Sequence, residues 1–370
     1  MSFSLPKPKK IDTLFVTIVV ALLTVGVVFF LSAALGIYAK NQKLFTSIVI
    51  NQFALGIGGG AILFFAGLKI PYLFWKKHAF MIFICALVLM LGVFIPGIGF
   101  EHGGAKRWIN VGFTTFQPAE VLKIAFVIYF AAWLSWVRKD IGSFKKVIIP
   151  FMIILGIMGG LLFLQPDTKS FILMTVAGIT MLFVSGVPLK YFAAIFIAGT
   201  IAFGGLALTT PYIQKRIQTF IHPTHDEQGS SYQLKQALIA FGSGGLFGQG
   251  IGQSVQKFGY LPEPHGDSIF AVIGEETGFV GTSICILLYL AFLLRGIRIS
   301  YHAIDPFAKL LALGIVVILG AQSFLNIASL VGLFPLTGVP LVFISHGGTS
   351  LALALFAVGI VTQISQYRKK

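Results

Sequence analysis

A chain with few carboxylates that gathers them in one place has put them where they can move protons or hold charge. Six of the twelve acidic residues here, Asp226, Glu227, Glu263, Asp267, Glu275 and Glu276, lie between positions 226 and 276. Over 232–281 the apolar runs stop and glycine becomes dense. Asp267 follows Pro264-His265-Gly266 and directly precedes an apolar run. Taken alone, that position reads best as a helix N-cap, and His265 as an interfacial side chain. Glu275 and Glu276 follow about 12–14 Å along the same predicted helix. Adjacent carboxylates at that depth need partners, whether backbone amides, Lys123 or a bound cation.

Three further groups belong with this stretch. Glu120 and Lys123 sit three apart, on one face of a predicted helix opened by Gln117-Pro118. They could form a buried ion pair that only holds helices together. Asp167 follows Gln165-Pro166 and by itself reads as a residue solvating a helix end. The six glycines of 242–252 match neither a dinucleotide fingerprint nor a P-loop, so tight turns explain them better than a nucleotide.

The elements that must position these groups are membrane helices. Mean hydropathy is +0.92, 56% of residues are hydrophobic and only 11% charged, about half the charge of a soluble domain. Apolar segments of about 20 residues recur along the chain. Ten spans are expected near 13–35, 45–68, 78–96, 118–136, 147–165, 170–187, 191–210, 268–294, 307–331 and 341–365, in one integral membrane domain over 1–370. The first is too long to be the apolar core of a secretory signal.

The net charge of +15 does not point to nucleic acid. Lysines and arginines cluster in short connections on one side, including Lys7, Lys9, Lys10, Arg138, Lys139, Arg295, Arg298, Lys369 and Lys370, which predicts cytoplasmic termini. Connections 97–117, 210–267 and 332–346 then face outward. The middle one is a large extracytoplasmic loop between spans seven and eight, with pieces that dip into the membrane or lie on it. Tyr72, Trp75, Trp108 and Trp136 are expected at aromatic belts, and Gly56, Gly58, Gly59 and Gly60 at close helix contacts. Cys85 and Cys285 read as packing residues. The inner halves of the spans are nearly free of ionisable groups, so the polar site opens outward and does not cross the membrane.

In order and topology these residues resemble the SEDS family, the membrane glycosyltransferases of bacterial elongation, division and sporulation. The resemblance rests on Gly104-Ala105-Lys106-Arg107-Trp108-Ile109, Gln117-Pro118-Ala119-Glu120 with Lys123, and Gln165-Pro166-Asp167. It continues through Ser243-Gly244-Gly245, Gly248-Gln249-Gly250-Ile251-Gly252, Tyr260-Leu261-Pro262-Glu263-Pro264-His265-Gly266-Asp267, Ile269 to Glu276, Asn326-Ile327 and 340–348. The chain departs from the family pattern at Thr168-Lys169-Ser170, which adds positive charge beside Asp167, at Ser268 and at Gly347-Gly348-Thr349-Ser350.

The resemblance implies a ten-span all-α fold, an extracytoplasmic site and polymerisation of lipid II into glycan strands. It also implies a class B penicillin-binding protein transpeptidase as partner, with other division proteins, at the inner membrane. The run Gly274-Glu275-Glu276 favours the division branch, hence a septal role. Asp267 is the implied catalytic residue. An inverting displacement would use it as base, with Glu263 or partial burial raising its pKa. Arg107, with Lys106, Lys123 and Lys257, would hold the diphosphate, joined by Glu120, Glu263 and His265 around the substrate. Gln117, Asp167, Glu275 and Glu276 would support them. A divalent cation, magnesium or manganese, could share that task; the metal is unknown. The rival readings are a lipid II flippase and a non-catalytic division scaffold.

Overall fold

The computed structural model describes residues 8–102, 105–110, 112, 115–221 and 229–368. Lys7, Gly104, Asp226, Glu227, Lys369 and Lys370 lie outside the described residues. Helices dominate: α1 (Thr13–Tyr38), α2 (Gln42–Lys69), α3 (Tyr72–Phe94), α4 (Pro118–Asp140), α5 (Phe144–Leu164), α6 (Thr168–Ser185), α7 (Lys190–Thr209), α8 (Pro211–Ile221), α9 (Ser230–Gly244), α10 (Ile269–His302), α11 (Pro306–Leu330) and α12 (Gly348–Ser365). Among the described residues nine of these are long and apolar enough to cross a membrane. Where the seventh span was expected, Lys190–Ile201 is a shorter apolar helical stretch. The fold is all-α but for one element that hydropathy did not show. A small antiparallel sheet, β1 (Gly99–His102), β2 (Ala105–Asn110) and β3 (Thr115–Phe116), fills the connection before α4.

Helices α11 and α12 are the most enclosed of the nine and form the centre of the bundle. Around them α2 lies against α12 with almost no side chain between: a Cβ on Gly60 would stand 2.5 Å from Leu355, and one on Gly67 would meet the Phe356 carbonyl at 2.5 Å. Small residues let helix backbones approach in lipid, where no hydrophobic drive joins them. Gly56 shares that contact, whereas Gly58 and Gly59 meet only their own helix.

Two boundaries differ from expectation. Helix α3 starts at Tyr72, not near 78, and Tyr72 and Trp75 are buried against Tyr367, Phe307 and Phe356 instead of forming a belt. The last helix starts at Gly348, not near 341. Residues 331–347 run as irregular backbone, exposed at Leu333 and buried over 341–345, and polar side chains on α2, α10 and α11 take up its carbonyls and amides.

The expected eighth span is broken. Helix α10 turns at Gly278 (φ 66°, ψ −161°) into a short buried arm, 269–277, and a long segment running to His302. There the loop after α9 crosses so closely that a Cβ on Gly278 would lie 2.5 Å from the Gly248 amide nitrogen. Gly278→Ala combines a forbidden backbone region with a main-chain clash. We expect it to cost at least about 2 kcal/mol, read as a lowered thermal unfolding midpoint of the purified protein.

The candidate active site

The N-terminal end of α1 and the C-terminal end of α12 meet at one face, where Lys9 N–H donates to the Gln366 carbonyl at 3.0 Å. The site lies at the opposite end of the bundle, and its spine is the irregular segment at Gly338-Val339-Pro340. Three consecutive carbonyls there accept from three elements: Gly338 from Lys169 Nζ (2.5 Å), Val339 from Asn326 Nδ2 (2.7 Å) and Pro340 from Gln322 Nε2 (3.1 Å). Asn326 Nδ2 also donates to the main-chain carbonyl of Asp267 at 2.7 Å. A Cβ on Gly338 would come within 3.3 Å of Asp267 Oδ2, so a small residue leaves that carboxylate room.

Asp267 ends a tight turn that begins at Glu263, a non-glycine residue at φ 47° whose carbonyl accepts from the Gly266 and Ser268 amides. Backbone strain of this kind persists where surrounding contacts enforce it. Ser268, not Asp267, occupies the N-cap position of α10, and no side chain caps there. The capping role expected for Asp267 in isolation is therefore absent. Its Oδ1 instead accepts from Gln233 Nε2 (3.1 Å), with Ser268 Oγ at 3.5 Å.

Burial pushes the Asp267 carboxyl up to about 6, with Glu263 adding to the rise. Lys169 and the hydrogen bonds from Gln233 and Ser268 oppose it. Its neighbour His265 is driven down to about 4 by burial and packs its ring at a tilt against that of His346, 5.6 Å away. His265 is then neutral near pH 7, so its 3.7 Å contact with Glu263 is not an ion pair.

Lys123 is buried at the helix interface, 2.8 Å from Glu120 and 2.7 Å from Gln322 Oε1, and Ser350 Oγ donates to Glu120 at 3.0 Å. Through Gln322 this pair is tied to the same spine that carries Asp267. Asp167 caps α6, accepting from Ser170 N and Oγ and from Gln117 Nε2 (3.1 Å). Arg107, on β2, reaches across to the Gln165 carbonyl (2.9 Å) and the Pro166 carbonyl, fixing the turn before Asp167.

Lys169 stands between these groups, within electrostatic reach of Asp167, Arg107, Asp267 and Glu120. It was visible in the sequence as an added charge after Asp167 but not as a site residue. Its side chain reaches Gly338 from the first turn of α6, a connection only the fold supplies. Gln233 was missed as well, and Asn326 was noted only as part of the resemblance, with no role at the site. Neutral amides carry no charge signal, and the role of each follows only from what it touches.

Four expected site residues stand apart from Asp267. Lys106 is exposed on the sheet beside Glu101, at 3.9 Å. Lys257, Glu275 and Glu276 form a separate buried cluster at the break in α10. Lys257 Nζ contacts Glu276 Oε1 (2.8 Å), Ser32 Oγ (2.9 Å) and the Gly252 carbonyl (2.7 Å), with both charged side chains fully enclosed. Glu275 accepts from Ser254 Oγ and from the Val255 and Gln256 amides. Lys123 is no partner to these glutamates, being held by Glu120. A lysine whose donors are all used inside the protein has none left for a phosphate. Lys257→Met should strand the Glu276 charge and cost about 3–5 kcal/mol. Adding Glu276→Leu should recover much of that loss in the same thermal unfolding experiment.

Among the described residues no three His, Cys, Asp or Glu side chains stand close enough to hold a metal ion.

Fold and site together define a multi-pass helical membrane protein. At one end it carries a half-buried carboxylate within electrostatic reach of Lys169. A family described as "Cell cycle protein", spanning FtsW, RodA and SpoVE, matches residues 12–370, and the chain belongs to that family. It is 37% identical to "Stage V sporulation protein E" of Bacillus subtilis, covering 97% of this chain and 98% of the relative. It is 36% identical to "Probable peptidoglycan glycosyltransferase FtsW" of Geobacter sulfurreducens, covering 96% and 95%. Two solved structures share the fold at 24% identity. One is a chain from a study described as "Structural coordination of polymerization and crosslinking by a peptidoglycan synthase complex" (TM-score 0.78, covering 96% and 97%). The other is the "Rod shape determining protein RodA" of Thermus thermophilus (TM-score 0.69, covering 97% and 98%).

Proposed function

We propose that this protein is a peptidoglycan glycosyltransferase that polymerises lipid II at the outer face of the bacterial cell membrane, with Asp267 as general base. The observation that carries the mechanism is the placement of Asp267. Its carboxylate is raised to about 6, and its main-chain carbonyl is tied through Asn326 to the backbone segment that accepts from the Lys169 ammonium. A base titrating just below neutral pH is ionised when needed, yet basic enough to accept a hydroxyl proton.

The donor sugar is α-linked to a diphosphate and the product is β-linked, so one displacement with inversion suffices. The acceptor 4-hydroxyl attacks the anomeric carbon and its proton passes to Asp267. The bond to the diphosphate breaks as the glycosidic bond forms, and the lipid diphosphate leaves with the electron pair. Negative charge grows on that leaving group, and preorganised cations in a half-buried site stabilise it best. Lys169 supplies such a charge, whereas Lys123 is neutralised by Glu120 and holds the spine through Gln322. Arg107 holds the turn at Gln165-Pro166 and brings a second cation to the same basin.

Positive residues at the termini put that face in the cytoplasm and the site outside. The polymerised strands are crosslinked by a class B penicillin-binding protein, and the setting is the division septum with its other membrane proteins. Purified protein supplied with lipid II, with and without that partner, tests this reading. Glycan strands are expected, more of them with the partner present. Lipid scrambling in liposomes without any polymer would favour the flippase instead.

A further inference from the structure

At the face that holds the termini, the ends of α1, α10 and α12 enclose a cavity of about 130 Å³ lined by Asp12, Arg295, Arg298, Ile299, His302, Ser365 and Arg368. Three guanidinium groups face one carboxylate. Asp12 is already used: it caps α1 through the Phe15 amide and takes a two-point contact from Arg295 (2.9 and 2.7 Å), with Arg368 at 3.5 Å. The Arg298 guanidinium lines the cavity with no hydrogen bond or ion pair among the described residues, and the His302 ring makes one hydrogen bond, from Nδ1 to the Arg298 carbonyl (2.8 Å). A positive cavity with unused donors calls for an anion with several acceptor oxygens.

The surface beside it says what carries that anion. Leu287, Leu290, Leu294, Ile297 and Tyr301 are exposed at helical spacing along α10 and lead to Arg298. An apolar stripe of about 21 Å, enough to cover one leaflet and ending at a basic cavity, fits acyl chains below a charged head group.

We propose that this cavity binds the phosphate of an anionic phospholipid whose acyl chains lie along that stripe of α10. Arg298 and Arg368 hold the phosphate oxygens, while Arg295 stays paired with Asp12 and keeps α1 and α10 together. The site is remote from Asp267 and owes nothing to the glycosyl transfer reaction.

The test uses the full chain in nanodiscs of phosphatidylcholine, with or without phosphatidylglycerol. Bound lipid is counted by native mass spectrometry and the thermal unfolding midpoint is followed. Retained phosphatidylglycerol and a raised midpoint are expected for the wild type. Arg298→Gln should weaken retention about fivefold, the effect of one cation close to an anionic lipid. Lys77→Gln, a basic residue near the same face but outside the cavity, should leave it unchanged. Equal losses in both variants, or none in Arg298→Gln, would overturn the proposal. So would an equal rise in midpoint from inorganic phosphate in pure phosphatidylcholine discs, since the ligand would then be free phosphate.

Discussion

Asp267→Asn protein is expected to fold, to bind lipid II and to make no measurable glycan. Loss of a general base costs about 10²–10⁴-fold, and Asn cannot accept a proton from the acceptor hydroxyl. The folded protein should not suffer for it. A carboxyl raised from 3.8 to about 6 by burial is a charge the native state holds at a cost. The sign follows from linkage: the native state binds this proton more tightly than the unfolded chain does. Stability from this group therefore grows as pH falls from about 6 towards 3.8, and above 6 its ionisation opposes folding. At neutral pH the Asn variant should be as stable as wild type or more so, by up to about 3 kcal/mol. A lowered midpoint together with lost activity would instead make Asp267 a structural residue.

Lys169→Met should be the second most damaging change. It removes a cation from beside the departing diphosphate, and one such electrostatic contact contributes about 10²–10³ in kcat. It should also leave a signature that a packing defect would not. Lys169 holds the Asp267 carboxyl down, so its loss raises that pKa further, and the acid limb of the rate profile moves to higher pH. Lys169→Arg, which keeps the charge, should restore part of the rate and most of the limb's position. A fall in rate with an unmoved limb in both variants would confine Lys169 to anchoring the Gly338 carbonyl.

What was readable in the chain follows from which forces act locally. Apolar runs of membrane length reported the helices, and a concentration of carboxylates around Asp267 reported the site. Charge alone could not sort those carboxylates into roles. Asp267 looks like a cap in one dimension, yet the turn from Glu263 rotates it away from α10 and gives the N-cap position to Ser268. Lys257 and Glu276 look like site residues because buried charge is rare in lipid. Their partners are each other, across a helix break that no hydropathy window resolves. Lys169 was noted only as a departure from pattern, because its meaning depends on a carbonyl far away in sequence. The irregular stretch 341–347 hid for the same reason: it is apolar enough to pass for the start of the last span, and the side chains of Gln52 and Tyr289 that hold it open lie on other elements.

The most direct test of Asp267 as the base is the pH dependence of lipid II polymerisation by the wild-type protein with its crosslinking partner. A plateau near neutrality that falls away on the acid side, with a half-point at about 6, is the predicted profile. A rate that stays level well below that point, down to the range of an ordinary water-exposed aspartate, would contradict it.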